Sequence, residues 1–119
     1  MDIYSIIKGA ILDLPIKHDE SNGIFSCTID GVTNSANYER RDTEPVILDL
    51  YRTFVHPELR GKGIAESLLK KFTEYAISQG FTIHPSCSYA VIYYRRRREY
   101  AHVLAKDVDL KTGGSCRIN

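Results

Sequence analysis

The chain has 119 residues and a mass of 13.5 kDa, room for one domain. It is 43% hydrophobic and 26% charged, and sixteen lysines and arginines against fifteen acidic residues leave a formal net charge of +1. That balance excludes a globally basic nucleic-acid binder and an acidic disordered tail, and no apolar run approaches the roughly 20 residues that cross a bilayer. The three cysteines, Cys27, Cys87 and Cys116, are odd in number and form no Cys-x-x-Cys. Residues 1–15 carry Asp2 and Asp13 and show no small-residue cleavage site after an apolar core. These features point to a reducing, cytoplasmic setting. Cys116 stands where a prenylation box would begin, but Arg117 and the terminal Asn119 fit that box poorly.

In residues 1–14, Ile3, Ile6, Ile7, Ala10 and Ile11 fall at helical spacing before Pro15, which predicts a short appended helix. Residues 16–18 read as a short strand. Residues 23–29 and 32–40 are two β-prone runs about the turn dipeptide Asp30-Gly31, which predicts a hairpin. Residues 46–55 read as a longer strand, with Val46, Leu48, Leu50 and Phe54 on one face and Ile47, Tyr51 and Val55 on the other. Apolar residues on both faces predict a central strand covered on both sides.

Pro57 stops that strand, and Gly61 and Gly63 precede the clearest helix. There Ile64, Ala65, Leu68, Leu69, Phe72, Tyr75 and Ala76 recur at three- and four-residue steps until Gly80. Residues 81–84 form a short strand and residues 88–98 a second helix. Residues 100–105 extend that helix or begin another, and residues 111–116 form a loose tail. The division expected is an appendage over 1–15, a domain over 16–105 and a tail over 106–119. The fold class is α/β: a mixed, twisted sheet with an antiparallel N-terminal hairpin and a parallel βαβ unit with a right-handed crossover.

The stretch that carries chemistry runs from residue 55 to residue 69. A strand ends, a tight loop with two glycines follows, and a helix starts. Backbone N–H groups and the positive end of the helix dipole then converge on one point, and glycine leaves that point open to a phosphate or pyrophosphate. A Walker loop is excluded by spacing, and a dinucleotide fingerprint would need Gly or Ala where Glu66 stands.

What fits is Arg60-x-x-Gly63-x-Ala65, preceded by Val55-x-Pro57 and followed by Leu68-Leu69. This resembles the coenzyme A pyrophosphate signature of the Gcn5-related N-acetyltransferases. Leu48-Asp49-Leu50-x-x-Thr53, then residues 85–89, then Tyr93 followed by Glu99-Tyr100, look like the minimal single-domain subfamily. The resemblance covers roughly residues 16–105. It implies an acyltransferase-like fold lacking the C-terminal strand hairpin of larger relatives. It also implies an acetyl-coenzyme A-binding N-acetyltransferase that acts, as a monomer, on an amine such as a protein lysine or a small amine. The parallel strands should splay at their C-terminal ends to admit the pantetheine arm, with a backbone N–H near Val55 polarising the thioester carbonyl. The coenzyme A set implied is Val55, Arg60, Gly61, Lys62, Gly63, Ile64, Ala65, Ser88 and Arg95. The chain departs from the pattern in the basic run from Arg95 to Arg98 and in residues 1–14.

Cys87 follows a short strand and starts a helix, a placement that favours thiolate. The resemblance implies that it lies near the thioester as nucleophile, as proton donor or as pocket lining. His18, His56, His84 and His102 show no metal-ligand spacing, so no metal is expected. His56 reads as a base or a cap, His84 as a partner for the thiol or a structural residue. Asp49 and Glu58 are the carboxylates nearest the loop, and nothing pairs them as acid and base. Arg95 to Arg98, lying among tyrosines, read as a solvated face, as a contact to the 3′-phosphate of coenzyme A, or as a nucleic-acid surface. Two other function classes therefore stand beside the enzyme: a coenzyme A sensor with little turnover, and a small RNA-binding domain.

Overall fold

The computed structural model describes residues 14–110. The expectations for the appended helix and the loose tail fall on residues 1–13 and 111–119, outside the described residues.

Asp30 and Gly31 both take positive φ, 52° and 80°, the pair a two-residue hairpin turn requires. They join β2 (Ile24–Ile29) to β3 (Val32–Arg41), and β1 (Ile16–Asp19) adds antiparallel to β2. β4 (Ile47–Phe54) pairs antiparallel with β3, and β5 (Thr82–Pro85) pairs parallel with β4, giving the order β1-β2-β3-β4-β5. The crossover between β4 and β5 is α1 (Ile64–Gln79), ended by Gly80 at φ 74°. α2 (Ser88–Arg96) follows β5.

Arg97, at φ −108° and ψ 76°, ends α2 two residues earlier than its apolar spacing suggests. A 3-10 helix (Arg98–Val103) takes the place of the expected extension. Beyond it, Leu104 bridges Ile83 on the outer edge of β5, and the Ala105 N–H donates to the Ile83 carbonyl.

Both helices lie on one face of the sheet. The Phe72 ring of α1 meets Phe25 at 5.9 Å and Tyr38 at 5.3 Å. The Tyr94 hydroxyl of α2 and the Thr73 hydroxyl of α1 are 2.6 Å apart, and Thr73 donates to the Leu69 carbonyl. Under these helices the sheet supplies Phe25, Cys27, Ile29, Ala36, Tyr38, Leu48 and Leu50, all buried.

The expectation that β4 is covered on both sides is corrected. Its other face carries Asp49, bonded to Arg41 and Ser86, and Tyr51, which is 46% exposed. Among the described residues no helix covers that face. A β-bulge also changes which residues share a face: Tyr38 pairs with Leu50 and Asn37 with Arg52, so Tyr51 is an extra residue that resets the alternation. Thr53 and Val55 therefore join Leu48 and Leu50 on the helix face, and Phe54 moves to the other. Simple period-two counting assigned Phe54 and Val55 the opposite way.

Two outcomes follow from this packing. Phe72→Ala should lower the unfolding free energy by about 3–5 kcal/mol in urea titration, because the ring is fully enclosed. Burial also pushes the Tyr93 and Tyr94 phenols up. The folded state then keeps protons that the unfolded state sheds, so stability is full below the ordinary tyrosine value of about 10 and falls as pH rises beyond it. Urea midpoints should be flat from about pH 7 to 9 and drop above about 10, and Tyr94→Phe should shrink the drop.

Candidate functional site

The last β4–β5 pair is Leu50 with Pro85. The Ser86 and Cys87 N–H groups both donate to the Leu50 carbonyl, at 2.9 and 3.3 Å, and turn the chain away from the sheet. β4 runs on without a neighbour on that side. Its backbone polarity there follows from register. The Tyr38 N–H donates to the Gly23 carbonyl on the β2 side, so the odd-numbered residues of β3 face β4. Phe54 and Arg52 stand opposite Ser35 and Asn37 and bond toward β3. Thr53 and Val55 turn their backbone groups the other way, into the gap.

The exit from β4 is clamped by Asn34, a fully buried residue of β3. Its side-chain amide donates to the Cys27 carbonyl at 3.2 Å, and its oxygen accepts the His56 N–H at 2.8 Å. The His56 ring nitrogen accepts the Glu58 N–H at 3.2 Å and so caps a 3-10 turn (Pro57–Leu59), with Leu59 buried beneath it. Arg60 folds its side chain back, and its Nε donates to the Val55 carbonyl at 2.9 Å.

Gly61 and Gly63 follow at φ 80° and 83°. A Cβ at Gly61 would meet no protein atom within 4 Å, so backbone conformation and not crowding calls for glycine there. Gly63 is the N-cap of α1 and supplies no side-chain acceptor, and the first backbone bond of the helix is Ser67 N–H to the Gly63 carbonyl. The N–H groups of the opening turn thus have no intrahelical partner, and they carry the positive end of the helix dipole.

Bare helix end and open strand edge meet in one cleft of about 690 Å³. Val55, Arg60, Gly61 and Gly63 line it from the loop and Ile64 and Ala65 from the first turn of α1. Ser88 lines it from α2, together with Tyr89 and Arg96. Lys62 and Arg95, expected with that set, are not in its lining. Arg95 donates to the Leu110 carbonyl, with Nε at 2.9 Å, and Arg96 stands at the cleft instead. Arg97 pairs with Glu66 at 2.5 Å and lies over the Tyr93 ring at 5.4 Å. Arg95, Arg96 and Arg97 therefore turn to three different surroundings.

Cys87 is half-buried and is the N-cap of α2, with φ −88° and ψ 150°. Its sulfur lies 3.4 Å from the Thr53 hydroxyl, and Thr53 lines the cleft. His84 pairs in register with Asp49 on the face away from the helices, and its Nδ1 is 3.7 Å from the Asp107 carboxylate. Burial pushes the Tyr89 phenol up, so it stays a neutral hydroxyl at the cleft wall. Among the described residues no three His, Cys, Asp or Glu side chains gather as a metal site would need. No helix there is long and apolar enough to cross a membrane.

Sequence reasoning assigned no role to Asn34 or Tyr89, and it treated Arg96 only as one member of the run from Arg95 to Arg98. For Asn34 a signal existed: it is the polar residue at an inward-facing parity of β3, between Val32 and Ala36. Tyr89 and Arg96 are reached only by knowing how α2 turns about its axis.

The bare helix end and its glycines suit a polyanion, and the unpaired edge of β4 suits an extended amide-bearing chain. The family model described as GCN5-related N-acetyl-transferase matches residues 24–103, from the start of β2 to the end of the second 3-10 helix. No curated protein matches the chain.

The Asn34 clamp gives a direct test. Asn34→Leu leaves the His56 N–H without its acceptor and the Cys27 carbonyl without its donor. Each lost partner of a buried group costs about 1–3 kcal/mol. Urea titration should show that loss, and amide chemical shifts should move most over residues 55–65.

Proposed function

This chain belongs to the GCN5-related N-acetyltransferase family, and from that premise we propose that it binds acetyl-coenzyme A in the cleft at the start of α1 and transfers the acetyl group to an amine. The acceptor class is a protein lysine or a small amine. The observation that carries the reading is that the uncapped N-terminus of α1 and the unpaired edge of β4 open into the same cleft.

Acetyl-coenzyme A supplies an activated thioester and a polyphosphorylated handle. The N–H groups from Gly61 to Ala65 hold the pyrophosphate, helped by the dipole of α1. Lys62 lies within that loop and adds positive charge to it. Arg96 lines the cleft, which supports it as the guanidinium that meets the 3′-phosphate. Arg60 acts by fixing the loop through the Val55 carbonyl. The Thr53 backbone N–H and carbonyl bind the pantetheine amides as a neighbouring strand would, and the Val55 N–H polarises the thioester carbonyl. Ser88 and Tyr89 close the wall opposite.

Cys87 serves as proton donor to the departing thiolate, and the amine attacks the acetyl carbon directly. An RNA-binding role for the basic run is disfavoured by its geometry, since Arg95 and Arg97 are turned to different protein partners.

Calorimetry with acetyl-coenzyme A tests the binding, and absence of heat at about millimolar ligand would sink the reading. Gly61→Val places its side chain in the space reserved for the pyrophosphate, at a backbone cost of about 1–2 kcal/mol for a left-handed residue. It should fold and lose acetyl-coenzyme A affinity by more than about tenfold, or 1.4 kcal/mol. Turnover against mixed amines separates the enzyme from a sensor, because binding without turnover belongs to the sensor. For Cys87→Ser the expected result is a kcat lower by about tenfold to a hundredfold, with no acetyl-enzyme in the mass spectrum of either protein. An acetyl adduct on Cys87 would make it a nucleophile instead.

A further inference from the structure

We propose that Thr53 is the positioning residue for Cys87: its hydroxyl holds the sulfur at the open edge of β4 and donates to it whenever the sulfur carries charge. The inference deepens the acetyl-transfer reading and rests on it.

The sulfur's anchor is fixed at both ends. The Cys87 N–H donates to the Leu50 carbonyl at 3.3 Å, and the Cys87 carbonyl accepts the Val91 N–H at 3.1 Å. Only rotation about the Cα–Cβ bond remains, and the sulfur's position selects among its staggered settings. In the observed setting it lies 3.4 Å from the Thr53 Oγ1. Threonine is stiff about its own first torsion, so the hydroxyl is a fixed point. It also carries one donor and two acceptor sites. Toward a neutral thiol it can accept the S–H, and toward a thiolate it can donate. The bulge at Tyr51 gives this pairing its geometry, because without the extra residue the Thr53 side chain would face away from the helices.

The chemistry closes on itself with this pair. The amine nitrogen bonds to the acetyl carbon as the carbon–sulfur bond breaks. The electron pair of that bond goes to the coenzyme A sulfur, which takes the proton of the Cys87 thiol. Cys87 is then a thiolate held by the Thr53 O–H. The new amide nitrogen gives up its surplus proton to the Cys87 sulfur and restores the thiol. No proton is gained or lost beyond those of amine and thioester, and no other reactant enters.

Other groups face the sulfur from the elements around it. Tyr89 and Tyr94 of α2 interact electrostatically with Cys87, and burial raises both, so they stay neutral across an ordinary assay range. Asp49 is held by the Ser86 hydroxyl, next to Cys87, and by Arg41. His84 lies in β5, on the side of the sheet that Asp49 occupies. None of these is altered by a change at Thr53, so a shift on changing Thr53 reports the hydroxyl.

The test is the pH dependence of iodoacetamide labelling at Cys87, read on its own peptide by mass spectrometry in the full chain without cofactor. Thr53→Ala should raise the labelling midpoint by about one pH unit, because the thiolate loses a donor. Thr53→Ser, which also lacks the methyl group but keeps the hydroxyl, should return it close to wild type. Thr53→Val serves as the isosteric control and should follow alanine. Matching profiles for the alanine, serine and wild-type proteins would overturn the proposal, as would serine and alanine variants shifted alike. Calorimetry with acetyl-coenzyme A is run in parallel. A wild-type protein that binds none while the Thr53 effect persists defeats the acetyl-transfer reading and leaves the residue pair standing. Intact binding with no Thr53 effect defeats the pair alone.

Discussion

β4 outlasts its partner. After Leu50 pairs with Pro85 the parallel ladder ends, yet β4 continues to Phe54 with β3 on one side and a cleft on the other. A strand edge with its N–H and C=O groups turned inward demands hydrogen-bond partners. Everything near the site arranges around that demand. The Leu50 carbonyl takes both the Ser86 and Cys87 N–H groups and so deflects the chain after β5. The Val55 carbonyl takes Arg60, which brings the glycine loop back over the open edge. What remains on the cleft side of Thr53 and Val55 is a short row of backbone groups available to a ligand with amides of its own.

Two helices begin at this gap, and neither has a side-chain cap. α1 starts at Gly63 and α2 at Cys87, and in each the opening N–H groups lack the oxygen that serine, threonine or aspartate would supply. A capping side chain is worth about 1 kcal/mol to a helix, so two bare starts together are a shared local sacrifice of stability. Their dipoles give the cleft a positive lining although the chain as a whole is nearly neutral. Glu66, in the first turn of α1, would weaken that field, but Arg97 pairs with it. Within the basic run, Arg96 lines the cleft, Arg97 pairs with the Glu66 carboxylate and Arg95 ties the chain at Leu110.

Much of this was legible in the residues alone. The positive-φ pair at Asp30-Gly31, the spacing from Ile64 to Gly80 and the glycines before it describe strong local preferences, and local preferences are what a sequence states directly. The strand boundaries differed by about one residue. The bulge at Tyr51 was not legible, because an extra residue is defined by its partner strand and nothing within residues 46–55 marks it. The error then carried over to the faces assigned to Phe54 and Val55. Which arginine of the basic run reaches the cleft was not legible either. The rotation of α2 is set by what it buries, Ala90, Val91, Tyr93 and Tyr94, and Tyr94 meets Thr73, a contact between residues 21 positions apart. Long-range geometry decided what local pattern left open.

The same geometry separates stability from activity along the sheet. The enclosed aromatic contacts, Phe25 with Phe72 and Tyr38 with Phe72 and Tyr75, stand in the body of the helix–sheet interface, and His18 stacks on Phe25 at 3.9 Å at its outer strand. The cleft is built from what that interface lacks: positive-φ glycines, uncapped helix starts and an unpaired edge. Residues that join the two regions are few, and Asn34 is the clearest, since one buried amide ties β2 to the residue after Val55. Changes at Gly61, Thr53 or Arg96 alter the cleft without opening the core. Changes at Phe72 open the core while leaving the loop's own hydrogen bonds in place. Asn34 belongs to both regions, so the order of the glycine loop is tied to the integrity of the β2–β3 hairpin.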